Sequence, residues 1–185
     1  MDCIRCTKPD HIRMAKALRY SVYCEEKHWV DSALCADGIE EDELDEHAVH
    51  FLALDDGEPV GTARLLLGKH QRLPAADYID LTAFGIDEVH VAEISRLAIR
   101  RHNRTSTLRV FLGLMQVMWA WGTDNSMLVA LAVADAPLFA GLLRAQIPTI
   151  AVAPEVEFLG SSCVPVAFEV EALGDWCQRM LGNRA

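Results

Sequence analysis

No run in the chain approaches the roughly 20 consecutive apolar residues that a membrane-spanning helix needs. The opening, MDCIRCTKPDHIRMAK, carries charges throughout and has no apolar stretch of the kind a secretory leader contains. Positive charge is scarce: 17 Lys and Arg stand against 27 Asp and Glu, a formal net charge of -10. That balance argues against a nucleic-acid binder, whose affinity rests on neutralising phosphates, and against an anionic membrane surface. The six cysteines, Cys3, Cys6, Cys24, Cys35, Cys163 and Cys177, show no scaffold-like rhythm, which excludes a disulfide miniprotein. Cys3 and Cys6 form a C-x-x-C, but no second pair at matching spacing completes a zinc site, and no metal is expected. Reduced thiols and the missing leader point to the cytoplasm. Internal repeats, low-complexity tracts and Gly/Ser linkers are also absent, so residues 1–185 read as one domain.

What is present is an ordinary globular composition, 51% apolar and 24% charged. A helix is expected over 10–27, with Met14, Ala15, Leu18 and Val22 on its apolar stripe. Strands follow at 47–54 and 60–67, joined by the turn Asp55-Asp56-Gly57-Glu58, and a third at 89–99. A polar, basic connector then opens a long helix whose Leu108, Phe111, Leu112, Met115, Met118 and Trp119 share one wide face. The remainder reads as strand 127–133, helix 136–144, strands near 149–153 and 164–170, and a last helix around 174–181. This order implies a mixed α/β protein, a sheet with helices packed on it.

Four places carry candidate chemistry. Residues 37–46 are too acidic for a core element, and Glu40, Asp42 and Asp45 stand in them at the spacing E-x-D-x-x-D. Clustered carboxylates hold a cation or a proton in transit, or simply form a solvated face; a calcium loop would need a turn glycine that is missing. Arg64 lies inside the apolar segment Gly61-Thr-Ala-Arg-Leu-Leu-Leu67 and needs a partner, for which carboxylates are the natural choice. Glu93-Ile-Ser-Arg96 again sets charges inside an apolar strand. Strict alternation sends Glu93 and Ser95 to one face and Arg96 to the other, so a bulge is needed if both charges serve one pocket. Finally, Arg19 and Tyr23 are four apart on the first helix, with Trp29 beyond its exit, either covering the core or capping a pocket.

Taken in order, Arg19, Tyr23 and Trp29, then Glu40-x-Asp42-x-x-Asp45, Arg64-Leu65 and Glu93-x-Ser95-Arg96, resemble the acyl-homoserine-lactone (autoinducer) synthase family. That family carries an Arg, an aromatic four on, a Trp ten on, the same acidic motif, an RL strand and E-x-S-R. The resemblance is strong over residues 15–100 and weaker beyond. Tyr23 stands where Phe is common, and Leu97 where a bulkier aromatic is often found.

The resemblance implies a fold related to the GNAT N-acyltransferases: a mixed, largely antiparallel central sheet with helices on both faces. It implies S-adenosylmethionine as substrate, an acyl carrier protein or acyl-CoA as acyl donor, and no tightly bound cofactor. The product would be a signalling lactone, released with methylthioadenosine. It assigns Glu40, Glu93, Ser95 and Arg96 to catalysis, and Arg19, Tyr23, Trp29, Asp42, Asp45 and Arg64 to substrate binding. Arg100, Arg101, Arg104 and Arg109 lie in a segment where CoA-binding relatives have a glycine-rich loop, and this segment has no glycine. These arginines suit the acidic helix of a carrier protein and its phosphopantetheine phosphate. Three alternatives share the motifs: an N-acyl amino acid synthase, a non-acylating cyclisation of S-adenosylmethionine, and a non-catalytic carrier-binding module.

Overall fold

The computed structural model describes residues 1–85, 87–100, 106–158 and 160–182. Its strands are β1 (Asp2–Arg5), β2 (Val49–Asp55), β3 (Glu58–Leu67), β4 (Val91–Ile99), β5 (Val129–Asp135), β6 (Ile150–Ala151), β7 (Val156–Phe158) and β8 (Ser161–Glu169). Its α-helices are α1 (Pro9–Tyr20), α2 (Thr107–Asp124), α3 (Ala136–Arg144) and α4 (Val170–Gly182). Neighbouring strands run β1-β2-β3-β4-β5-β8-β6, with β7 also on β8. Pairing is antiparallel between β1 and β2, β2 and β3, β5 and β8, and for β6 and β7 on β8; β4 and β5 are parallel. The mixed, largely antiparallel sheet expected from the sequence is therefore present.

Two compact units can be distinguished: Met1–Leu65 with Ser95–Met118, and Leu66–Ile94 with Trp119–Ala185. In the first, Asp56 (φ 52) and Gly57 (φ 85) both adopt left-handed backbone, as a two-residue hairpin of primed type requires. The hairpin fixes the β2–β3 register, and with it His50 opposite Arg64 and Leu52 opposite Thr62. Leu52 packs with Ala15 of α1 and Cys6. Its neighbour Ala53 pairs with Gly61, where an added Cβ would lie 2.4 Å from Val110 of α2. Adjacent strand residues face opposite ways, so α1 and α2 cover opposite faces here. Gly61 is the position that lets α2 approach β3 so closely.

The helix expected over 10–27 is α-helical only to Tyr20. Ser21–Glu26 continue as a widened turn with π winding, in which the Lys27 amide donates to the Val22 carbonyl at 2.9 Å. Strand β1 was not anticipated, being too short for its periodicity to register.

In the second unit, β5 and β8 pair along their length, from Val129 opposite Glu169 to Asp135 opposite Cys163. Asp135 caps α3 by accepting the Leu138 amide at 2.9 Å, with Pro137 in the first turn. The Trp176 indole of α4 donates to the Ala145 carbonyl at 3.2 Å. No helix among the described residues is long and apolar enough to cross a membrane.

Candidate active site

Three arginines and three carboxylates of the first unit close into a ring. Arg19 on α1 donates from Nε to Glu40 and places Nη1 and Nη2 on the two oxygens of Asp45 at 2.8 and 3.1 Å. Arg64 on β3 donates from Nη1 to Asp45 at 2.7 Å and to Asp42 at 2.5 Å. Arg96 on β4 donates from Nη2 to Asp42 at 2.9 Å and from Nε to Glu40 at 3.0 Å. Following the partners gives Arg19–Asp45–Arg64–Asp42–Arg96–Glu40 and back to Arg19. Each guanidinium bridges two carboxylates, and the charges cancel.

The local chain explains how the acidic motif presents itself. Asp42 caps the short turn Glu43–His47: its side chain accepts the Leu44 amide, while the Asp45 side chain accepts the Asp42 amide, both at 3.1 Å. The D-x-x-D spacing is thus a reciprocal cap that also aims both carboxylates at the arginines. The Glu40 amide donates to Lys16 of α1 at 3.3 Å, anchoring the start of the motif. The charge of the three carboxylates is matched by guanidinium groups.

Burial is uneven around the ring. The side chains of Arg19 and Arg64 are 1% exposed, whereas Arg96 is 16% and Asp42 25% exposed. Burial alone would raise the Asp45 carboxyl, but hydrogen bonds and charge from Arg19 and Arg64 outweigh it and hold Asp45 well below the usual carboxylate range. Burial alone would depress Arg19, and Asp45 and Glu40 more than offset it, so the guanidinium stays charged. His50, buried beside the ring, has Nε2 3.7 Å from Asp45, and neither ring nitrogen makes a hydrogen bond among the described residues. Burial pulls its pKa down to about 4, so it is neutral at pH 7.

Arg96 has a φ of 50, left-handed within β4. A non-glycine residue in that conformation costs about 1–3 kcal/mol and marks functional sites. It brings two consecutive side chains to one network: Ser95 Oγ accepts from Arg64 Nε at 3.0 Å, and Arg96 reaches Glu40 and Asp42. The Tyr23 hydroxyl donates to the carbonyl of Leu97, the next residue, at 2.9 Å. Burial pushes the phenol up to about 12, so it remains a neutral donor. The Tyr23 ring also lies 5.9 Å from the Arg96 guanidinium and 5.4 Å from the Trp29 ring. Lys27 sits over the other partner, 5.3 Å from the Trp29 centroid.

Not every candidate joins this network. Glu93 belongs to the second unit, where it accepts the Ala75 amide at 2.8 Å. Arg100 uses its backbone amide on the Val60 carbonyl at 3.0 Å, and Arg109, exposed in the first turn of α2, donates its amide to Ser106 Oγ at 3.2 Å. Arg101 and Arg104 lie outside the described residues. His50 was not among the sequence candidates; the signal for it is its hairpin register opposite Arg64. No group of His, Cys, Asp and Glu among the described residues is arranged to hold a metal ion.

Residues 18–114, which carry every member of the ring, match the acetyltransferase (GNAT) domain family. The chain belongs to that family. No curated protein matches it by sequence. Its fold is shared with TofI, solved in a ternary complex with an inhibitor and MTA, at a TM-score of 0.75 and 20% identity over 94% of this chain and 97% of that one. The CoA-dependent acyl-homoserine lactone synthase BjaI, solved with SAM and isopentyl-CoA, aligns at a TM-score of 0.73 and 21% identity over 94% and 82%. FeeM, an N-acyl amino acid synthase from uncultured soil microbes, aligns at 0.67 and 12% identity over 94% and 90%. The GNAT-related fold that the motifs implied is thus the fold observed.

Proposed function

We propose that the protein is an acyl-homoserine-lactone synthase of the cytoplasm. The observation that carries this reading is the closed arginine–carboxylate ring, built from the same residues whose order and spacing resemble that family, beside the Tyr23–Trp29 pair. The amine of S-adenosylmethionine attacks the carbonyl of an acyl thioester and expels the thiol. The carboxylate oxygen then attacks the carbon beside the sulfonium, the carbon–sulfur bond breaks, and methylthioadenosine leaves as the lactone closes.

Within that reading, the solvent-facing edge of the ring meets the amino-acid end of the substrate. Asp42 receives the ammonium, Arg96 the carboxylate, and Trp29 stacks on the sulfonium or the adenine. The buried members, Arg19, Arg64, Asp45 and Glu40, hold that edge in place. Both oxygens of Glu40 accept guanidinium N–H groups, so a proton from the amine passes to a base through water rather than directly to Glu40. A free α-amine titrates near neutral pH, so the step asks little of that base. A strand amide near Ser95–Ala98 supplies the oxyanion donor. The acyl donor is a carrier-protein thioester, met by the arginines of 100–109, or an acyl-CoA.

An N-acyl amino acid synthase is the second reading. It is favoured by the ring's charge balance, which does not by itself select a cationic substrate over a zwitterionic amino acid. Incubation with S-adenosylmethionine, with and without acyl-carrier-protein or acyl-CoA thioester, followed by mass spectrometry, tests both. Methylthioadenosine formed only with the donor is the expected result. Its formation without donor indicates simple cyclisation. Turnover of a free amino acid without methylthioadenosine establishes the second reading. Binding of donor without any product leaves a carrier-binding module.

A further inference from the structure

Cys24 lies in the widened turn after α1, directly following Tyr23, and Cys35 follows the short turn Ser32–Leu34. Their sulfurs are 3.6 Å apart. Among the described residues no other two cysteine sulfurs are in contact. Local hydrogen bonds hold the approach. Asp31 caps the Ser32–Leu34 turn by accepting the Ala33 amide at 2.9 Å, and the Cys35 amide donates to the Ser32 carbonyl at 3.1 Å. At the other end, His28 Nδ1 is 2.9 Å from the Cys24 carbonyl, and the Trp29 amide donates to the Tyr23 carbonyl at 2.8 Å. Residues 24–35 therefore form a nearly closed loop whose ends meet through two thiols. A disulfide bond of about 2.0 Å needs only a small further approach.

We propose that Cys24 and Cys35 form a reversible dithiol–disulfide site that takes a hydroperoxide as oxidant and closes the segment carrying Trp29. The two thiols differ in exposure, Cys24 being buried and Cys35 half-buried, which sets the order of events. Burial pushes the Cys24 thiol up to about 12, so it is the resolving partner rather than the attacking one. Cys35 sulfur attacks one peroxide oxygen, the O–O bond breaks, and the products are a sulfenic acid and the hydroxyl compound left by the peroxide, which is water for hydrogen peroxide. Cys24 sulfur then attacks the sulfenic sulfur, forming the S–S bond and releasing water. Two electrons pass from the thiols to one peroxide, and a thiol reductant reverses the change. The site is independent of the acyl-transfer chemistry proposed above and stands or falls separately.

The test treats the fully reduced protein with one equivalent of hydrogen peroxide, then alkylates it in denaturant and maps the peptides. Four alkylated thiols instead of six are expected, with the tryptic peptide ending at Lys27 linked to the one carrying Cys35, and full recovery after dithiothreitol. Cys35→Ser should abolish the linkage. Cys24→Ser should leave a sulfenic acid on Cys35 that dimedone traps. In the native protein, trypsin should cut after Lys27 several-fold more slowly once the bond has formed. Six alkylated thiols, a linkage involving any of Cys3, Cys6, Cys163 or Cys177, or unchanged cleavage after Lys27 overturns the proposal. Dimedone labelling of the wild-type protein before loop closure supplies the same reading should either variant fold poorly.

Discussion

The molecule contains the same chemistry in two settings. Arg72 and Asp77 form an ion pair with side chains 68% and 56% exposed, while Arg64 and Asp45 make theirs at 1% and 3%. In water the first pair gains little, since solvent and salt screen it and two mobile side chains must be ordered. The second pair carries a desolvation cost that no isolated bridge recovers, and is tolerable only because every charge has several partners. A well-packed apolar cluster would occupy the same space at no electrostatic cost. That six charged groups are kept there instead indicates that position, rather than stability, is what the ring supplies.

Breaking the ring from inside should have the largest effect. Arg64→Ala or Asp45→Ala leaves each neighbour in the ring with one partner and the buried cluster with an unbalanced charge, costing about 3–5 kcal/mol, and thermal melting should show Tm falling by about 10 °C or more. Activity should vanish together with stability. Breaking it at the exposed edge separates the two: Arg96→Ala should eliminate product formation while shifting Tm less than half as far. Wild-type turnover in that variant would remove the assigned site.

Acid probes the ring without mutation. The folded state holds His50 near pKa 4, below the unfolded value of about 6.5. Between those values only the unfolded chain takes up the proton, so stability should fall as pH drops, by about 1.4 kcal/mol per pH unit. Below about pH 4 the depressed Asp45 adds to the loss, because its stabilisation is present only while the unfolded carboxyl is ionised. Denaturant melts from pH 7 to pH 4 on the wild type and on His50→Gln check the assignment, the variant being expected to show the shallower slope. The smallest effect belongs to the exposed pair: Arg72→Ala should leave Tm where it was, and a clear fall would mean that exposure alone does not distinguish the two settings.

Much of this was readable from residue types and order. A lone Arg64 in an apolar strand demands carboxylates, and it has them in Asp42 and Asp45. The closure of the ring was not readable, because it depends on β2–β3 register and on the left-handed Arg96, which only tertiary structure fixes. Glu93 was grouped with Ser95 and Arg96 by sequence proximity, and its amide partner Ala75 sits in a loop-rich stretch where pattern reading has little purchase. His50 comes to lie opposite Arg64 only through the hairpin register, which its residue type does not reveal.

The π-wound turn at Ser21–Glu26 holds one more residue than α winding would need. Removing a single exposed residue there, such as Glu25, would let helix α1 continue in ordinary register and rotate everything beyond it by about 100°. Trp29 would then leave Tyr23, and Cys35 would lose Cys24, while Arg19, lying before the deletion, would keep its place on α1. One peptide unit of chain length thus acts as a phase setting, and its loss would uncouple Trp29 from the charged ring.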